Sequence, residues 1–163
     1  MRDYRWLRLF SLLAVWMVAS RLAMADTQAP SAVRLEGAVV QRIATGFQFT
    51  EGPCWRAAGY LVYSDITGNT VYRWLPEQGA EIFLRPSGNA NGITEDRQGR
   101  LILAQHLERR VIRLAADGSF TILASHYQGK RLNSPNDLIV SSNGTIYFTD
   151  PPLGIKTSDQ ELN

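Results

Sequence analysis

A chain of 163 residues, 45% hydrophobic and 20% charged, is long enough for one packed domain, and its composition excludes a disordered or low-complexity polypeptide. The formal charge of +2 is an N-terminal effect. Residues 1–25 hold Arg2, Arg5, Arg8 and Arg21 against Asp3, which leaves 13 basic and 14 acidic residues in the remainder. That balance provides no basic face for nucleic acid. The single cysteine, Cys54, excludes an internal disulfide and a cysteine-based metal site. Beside Trp55 it reads as a small buried apolar residue.

The first 25 residues read as an export signal. Arg2, Arg5 and Arg8 form a positive segment, residues 9–19 an apolar run, and Ala23-Met24-Ala25 a small-x-small cleavage site. The run is short for a membrane span, so an uncleaved anchor is the lesser alternative. The mature chain is then expected to begin near Asp26, in a periplasmic or secreted protein with no membrane contact beyond the signal. Residues 26–45 are expected to be a linker and a first strand, with residues 39–43 as the strand.

From Glu51 the chain repeats. Glu51-Gly52-Pro53 is followed by apolar runs at 60–64, 70–74 and 81–84. Asn91-Gly92-Ile93 is followed by runs at 101–104, 110–114 and 120–123. Asn136-Asp137-Leu138 is followed by a run at 145–149. The starts lie 40 and 45 residues apart, and a polar residue returns 14 or 15 positions later: Asp65, His106 and Asp150. Four short strands per repeat of about 40 residues is the signature of a β-propeller blade. The predicted fold is therefore all-β, a partial propeller over residues 46–163 with blades starting near 51, 91 and 136. Rings need about four to eight blades to close. Two and a half are legible here, and truncation at the C-terminus is the expectation.

Residues 133–151 carry the clearest local signal. Asn143-Gly144 separates two short apolar runs, which predicts a hairpin. Asn136 and Asp137 stand at its start and Asp150 at its end. Such groups are costly to bury unpaired, and two explanations are open: a hard cation bound through oxygens, or tight-turn geometry. In a propeller the innermost strands converge on the central channel, so Glu51, Asn91 and Asn136 are candidate ligands for Ca²⁺, or caps of their strand starts. Zinc fits less well, with two histidines in the chain. His106 is a candidate general base or substrate contact, or simply a hydrogen-bonded histidine at a strand end. His126 is expected to face solvent, and Arg109, Arg110 and Arg113 are expected to form blade-surface pairs. The sequence holds no serine nucleophile elbow and no glycine-rich phosphate loop. Hydrolysis would therefore rely on a metal and an activated water.

Several stretches resemble the gluconolactonase/regucalcin (senescence marker protein) family. They are Glu-Gly-Pro-Cys-Trp (51–55), Tyr-Ser-Asp-Ile (63–66), Val-Tyr-Arg-Trp (71–74), Asn-Gly-Ile-Thr (91–94) and Asp-Arg-Gln-Gly-Arg-Leu (96–101). Arg-Arg-Val-Ile-Arg (109–113), Gly-Lys-Arg-Leu-Asn-Ser-Pro-Asn-Asp-Leu (129–138) and Tyr-Phe-Thr-Asp-Pro-Pro (147–152) complete the set. The resemblance implies a six-bladed propeller with one divalent metal, usually Ca²⁺, and hydrolysis of sugar lactones, with relatives that cleave other lactones or organophosphates. It implies that Glu51 and Asn136 are metal ligands and that Asn91 and His106 line the pocket. Asp137, beside Asn136, joins Asn91 and His106 as a candidate substrate contact. The family's further Asn ligand and its proposed Asp base come from later blades, beyond Asn163. Cys54 stands where the family more often has an aliphatic residue.

The leading expectation is an exported, metal-dependent lactone hydrolase with a small-molecule substrate, of which this chain alone is inactive. A non-catalytic binding propeller and a phosphotriesterase using the same site are the alternatives. Oligomeric state is left open.

Overall fold

Short apolar runs separated by glycine-containing turns can satisfy their backbone groups locally only by folding back on one another. The computed structural model describes residues 37–162, and the predicted signal lies outside them. From Gln41 onward the residues form one compact unit.

β1 (Thr50–Arg56), β2 (Tyr60–Asp65), β3 (Thr70–Leu75) and β4 (Gly79–Leu84) make one antiparallel sheet in chain order. β5 (Ala90–Glu95), β6 (Leu101–Gln105), β7 (Arg110–Leu114) and β8 (Phe120–Ala124) make a second. A two-residue ladder, β9 (His126–Tyr127) with β10 (Lys130–Arg131), leads to the hairpin of β11 (Leu138–Val140) and β12 (Ile146–Phe148). A single 3₁₀ turn spans Thr157–Asp159. Among the described residues no helix is long and apolar enough to cross a membrane.

The Asn-Gly hairpin forms as predicted, with a detail the sequence left out. Gly144 alone takes positive φ, at 89°, while Asn143 accepts the Thr145 N–H through Oδ1 at 2.9 Å. The Ser141 N–H donates to Thr145 O at 2.9 Å and closes the loop. The same N–H to carbonyl bond four residues on recurs from Asp96 to Arg100 and from Ala115 to Ser119. One turn chemistry therefore builds the repeat.

Alternation along β6 organises the packing. Leu101 and Leu103 join Val62 and Val71 in a core between the two sheets, while Ile102 and Ala104 face Leu138 on the other side. A strand with both faces covered reads as a continuous apolar run, as Leu-Ile-Leu-Ala does here. Three sheets thus stack face to face as successive blades, and the chain is a partial β-propeller. Cys54 packs half-buried against the first core, in the apolar role its setting predicts, and burial pushes its thiol pKa up.

The strand expected at residues 39–43 is absent. Val39 and Val40 are exposed, and the segment has no ladder partner among the described residues. β-branched residues favour a strand only where a neighbouring edge supplies hydrogen bonds and a surface to pack on.

The inner strands meet backbone to backbone. β1 and β5 each carry an irregularity, between Glu51 and Cys54 and between Ala90 and Ile93. At the first, a Cβ on Gly52 would lie 2.2 Å from Asn91 O. At the second, a Cβ on Gly92 would lie 2.8 Å from Asn136 O and 2.7 Å from Asp137 Cα.

Gly52 and Gly59 both have positive φ, but a Cβ on Gly59 meets nothing within 4 Å. Gly59→Ala therefore reports backbone strain alone, about 1–2 kcal/mol. Gly52→Ala adds a backbone clash and is expected to cost at least about 3 kcal/mol. Urea midpoints of the two variants measure the difference, and equal losses would remove the close approach from the stability of the fold.

Candidate functional site

The irregularities in β1 and β5 place Glu51 and Asn91 at matching points of successive inner strands, and Asn136 occupies the matching point of the third. Backbone bonds knit these points together. Ser64 Oγ donates to Asn91 O at 2.8 Å, Gly92 N to Asn136 O at 2.7 Å, and Asn136 N to Thr149 O at 2.9 Å. The side-chain oxygens of Glu51, Asn91 and Asn136 accept no hydrogen bond among the described residues. Asn91 is 6% exposed, Asn136 half-buried and Glu51 exposed.

One carboxylate and two amides are hard oxygen donors, and their lack of protein partners leaves them suited to a cation such as Ca²⁺. They are fewer than the six to eight oxygens that Ca²⁺ takes, so the rest of a coordination sphere lies outside these three residues. Among the described residues, no three His, Cys, Asp or Glu side chains group closely enough to hold a metal. Within the described residues, the donors available to a metal at this point are one carboxylate and two amides.

Glu51 also lines a cavity of about 450 Å³ with Thr50, Pro53, Phe47, Tyr63 and Ile43. Asn91 and Asn136 are not in its wall. Phe47 meets Tyr63 edge-on at 5.2 Å, and Tyr63 stacks on Tyr72 at 5.8 Å. The Tyr63 hydroxyl is buried without a partner among the described residues. Burial, with Tyr72 and Asp65 nearby, pushes its pKa up to about 12.

Asp137 is exposed, and its Oδ1 accepts the Leu138 N–H at 2.8 Å, which caps the start of β11. The same oxygen lies 2.6 Å from where a Cβ on Gly92 would stand.

His106 is not the counterpart of Asp65 and Asp150. Strand register pairs Asp65 with Thr50 and Gln105 with Ala90, so Gln105 holds the equivalent position, a uniform 14 residues after each opening residue. His106 begins the next turn, where its N–H donates to Asn89 O as the Ile66 N–H donates to Phe49 O.

The repeated polar residues are clasps and not channel groups. Asp65 accepts the N–H groups of Gln48, Phe49 and Gly68. Asp150 Oδ2 accepts Asn133 N at 2.7 Å, and Gln105 Nε2 donates to Ser87 O at 2.8 Å. Burial alone would raise the Asp65 pKa. The three backbone donors and Arg85 outweigh it and hold the carboxyl below its ordinary range. The His106 ring lies against Gly154, where a Cβ would come within 2.5 Å of Nε2, and its Nδ1 is buried without a partner among the described residues. It does not line the Glu51 cavity.

Arg110 and Arg113 are paired as expected, but with partners, Gln105 and Asp96, that are buried. Arg110 Nε donates to Gln105 Oε1 and its guanidinium covers the Phe120 ring, while Arg113 pairs with Asp96 at 3.1 Å. Arg109 departs from that expectation. It is 7% exposed, has φ of 55°, and donates through Nε to Leu132 O and Asn133 O at 2.6 and 3.0 Å. Asn69, just before β3 as Arg109 is just before β7, has φ of 48° and accepts through Oδ1 from Ser87 N and Asn89 N. Each of these residues ties its own blade to the segment leading into the next. Their common place before the third strand of each repeat was the available signal. His126 is exposed as expected, with Ser125 Oγ 2.9 Å from Nδ1.

Residues 49–162 match the SMP-30/Gluconolactonase/LRE-like region. The chain belongs to this family. It is similar to a gluconolactonase of Zymomonas mobilis, 35% identical over 136 residues that are 74% of this chain and 38% of that protein. A solved gluconolactonase of Xanthomonas campestris is 42% identical, with a TM-score of 0.65 over 70% of this chain and 39% of that one. A streptogramin B lyase shares the fold alone, at 15% identity, with a TM-score of 0.53 over 66% of this chain and 36% of that one. The chain spans about two fifths of the length of the gluconolactonases it matches.

Burial holds the His106 pKa below its ordinary value of 6.5. As pH falls through 6.5 the unfolded chain takes up this proton before the folded one, so stability is full above that pH and declines below it. His106→Asn is expected to reduce the drop in urea midpoint between about pH 7.5 and about pH 5.5. An unchanged drop would show that this ring does not contribute to it.

Proposed function

We propose that Glu51 and Asn136 hold a divalent cation, Ca²⁺ by donor chemistry, and that the protein hydrolyses sugar lactones. The observation that carries this reading is the repeated close approach of inner strands, which aligns Glu51, Asn91 and Asn136 while leaving their side-chain oxygens without protein partners. Likeness to gluconolactonases supports the reaction class. When bound, such an ion polarises an ester carbonyl.

The chain's own residues supply position. The Asn91 amide, largely shielded from water, is assigned to hydrogen-bond a sugar hydroxyl in this reading. Asp137 fixes the direction in which Asn136 leaves the turn, since its carboxylate caps the strand that follows. His106, packed against Gly154 and absent from the wall of the Glu51 cavity, is not assigned as the base.

The test uses the full-length protein and δ-gluconolactone, with acid release followed by pH-stat. Glu51→Ala and Asn136→Ala are each expected to lower kcat/KM at least about a hundredfold. A chelator should act likewise, with recovery on adding Ca²⁺. Asn91→Ala is expected to raise KM more than it lowers kcat. Turnover unaffected by both chelator and Glu51→Ala would remove the cation from the mechanism, and a folded protein that hydrolyses no lactone would leave a binding propeller.

We further propose export directed by residues 1–25. The intact mass of the mature protein is expected to correspond to a chain beginning at Asp26. A mass retaining Met1 would overturn cleavage.

A further inference from the structure

The clasp made by Arg109 uses less of its side chain than the residue carries. In the first blade Asn69 does the same work with an amide oxygen. Arg109 does it with Nε–H alone, and its Nη2 is buried without a partner among the described residues. An unpaired guanidinium nitrogen in that setting is costly, and an acceptor close by would explain its retention.

Arg109 forms part of the wall of a cleft of about 540 Å³ between the β6–β7 turn and residues 154–161. Arg131, Lys156 and Ser158 line the same cleft, as do Asp159 and Glu161. Both carboxylates already accept bonds: Asp159 Oδ1 from Ser158 Oγ at 3.0 Å, and Glu161 Oε2 from Arg131 N at 2.9 Å. Arg131 donates through Nη2 only to a backbone carbonyl, Glu108 O. Three cations thus share the cleft with two partly engaged acids, and Arg109 brings to its wall a largely buried guanidinium, a group that pairs with planar or tetrahedral oxyanions.

We propose that this cleft binds a small anion bearing a carboxylate or phosphate group, held by Arg109 with Arg131 and Lys156. The site is separate from Glu51, and the inference stands whether or not the protein hydrolyses lactones.

Isothermal titration calorimetry of the full chain at low ionic strength tests it, with sodium gluconate, inorganic phosphate and neutral glucose as probes. Saturable binding of an anion is expected, with none for glucose, and it should weaken as salt is added. The exposed double variant Arg131→Gln/Lys156→Gln, with its fold checked by circular dichroism, should bind at least about tenfold more weakly. Tighter binding of gluconate would assign a carboxylate ligand, and tighter binding of phosphate a phosphate ester. No saturable binding, equal binding of glucose, or unchanged affinity in the double variant would overturn the proposal and leave Asp159 and Glu161 as the internal partners of these cations.

Discussion

The contact on which the structure depends is the meeting of inner-strand backbones at Gly52 and Gly92. A side chain at either position would stand inside the carbonyl or Cα of the next blade. With none there, the strands approach closely enough for Ser64 Oγ and Gly92 N to bond directly to carbonyls of the neighbouring unit. Those bonds satisfy the backbone at the irregularities, where the regular ladder is interrupted. The residue beside each glycine is then free to act through its side chain. Glu51 and Asn91 each precede such a glycine, and Asn136 precedes Asp137, whose carboxylate lies over Gly92. Fold and candidate site therefore share one cause.

Apolar burial keeps these contacts in register. β6 is covered on both faces, so a slip of one residue would exchange Leu101 and Leu103 for Ile102 and Ala104 in the two cores. The volumes of those pairs differ, and packed interiors tolerate such exchanges poorly. Clasps then fix the segment that leads into each blade. Asp65, Gln105 and Asp150 reach back from the second strand, while Asn69 and Arg109 reach forward to the next unit. The same position carries an acid, an amide and an acid because the segments offer different groups: N–H donors to Asp65 and Asp150, a carbonyl to Gln105.

The strands were legible because their causes are local. Alternating apolar residues bounded by Asp-Gly, Gln-Gly or Asn-Gly turns place most strand edges within a residue or two of those read from the sequence. What escaped depends on partners distant in the chain. Gln105 and His106 are adjacent and both polar, so spacing of 14 or 15 could not decide between them until the pairing of Ala90 with Gln105 fixed the register. Arg109 sits beside Arg110 in a basic stretch, and only its place before the third strand, shared with Asn69, marks it as the one that turns inward. Residues 39–43 have the composition of a strand but no ladder partner among the described residues. Among the site residues, the repeat singled out Glu51, Asn91 and Asn136 correctly as matching positions, whereas the capping bond of Asp137 was visible only in three dimensions.

The clasps also bear on how rigid the candidate site can be. Asp65 grips Gln48, three residues before Glu51, and Asp150 grips Asn133, three residues before Asn136. On the far side of each site residue stands a backbone contact with the neighbouring blade. Glu51 and Asn136 are therefore held from both directions within a few residues, by charge-assisted bonds to backbone N–H groups that need no side-chain ordering from the donor. Were a cation bound there, as proposed, its ligands would need to be fixed beforehand if binding is not to bear their ordering entropy. A carboxylate clasp serves that purpose only while ionised, and the donors around Asp65 hold its carboxyl below the ordinary range. The acids that recur along the chain thus work behind the candidate site, holding in place the backbone that carries Glu51 and Asn136.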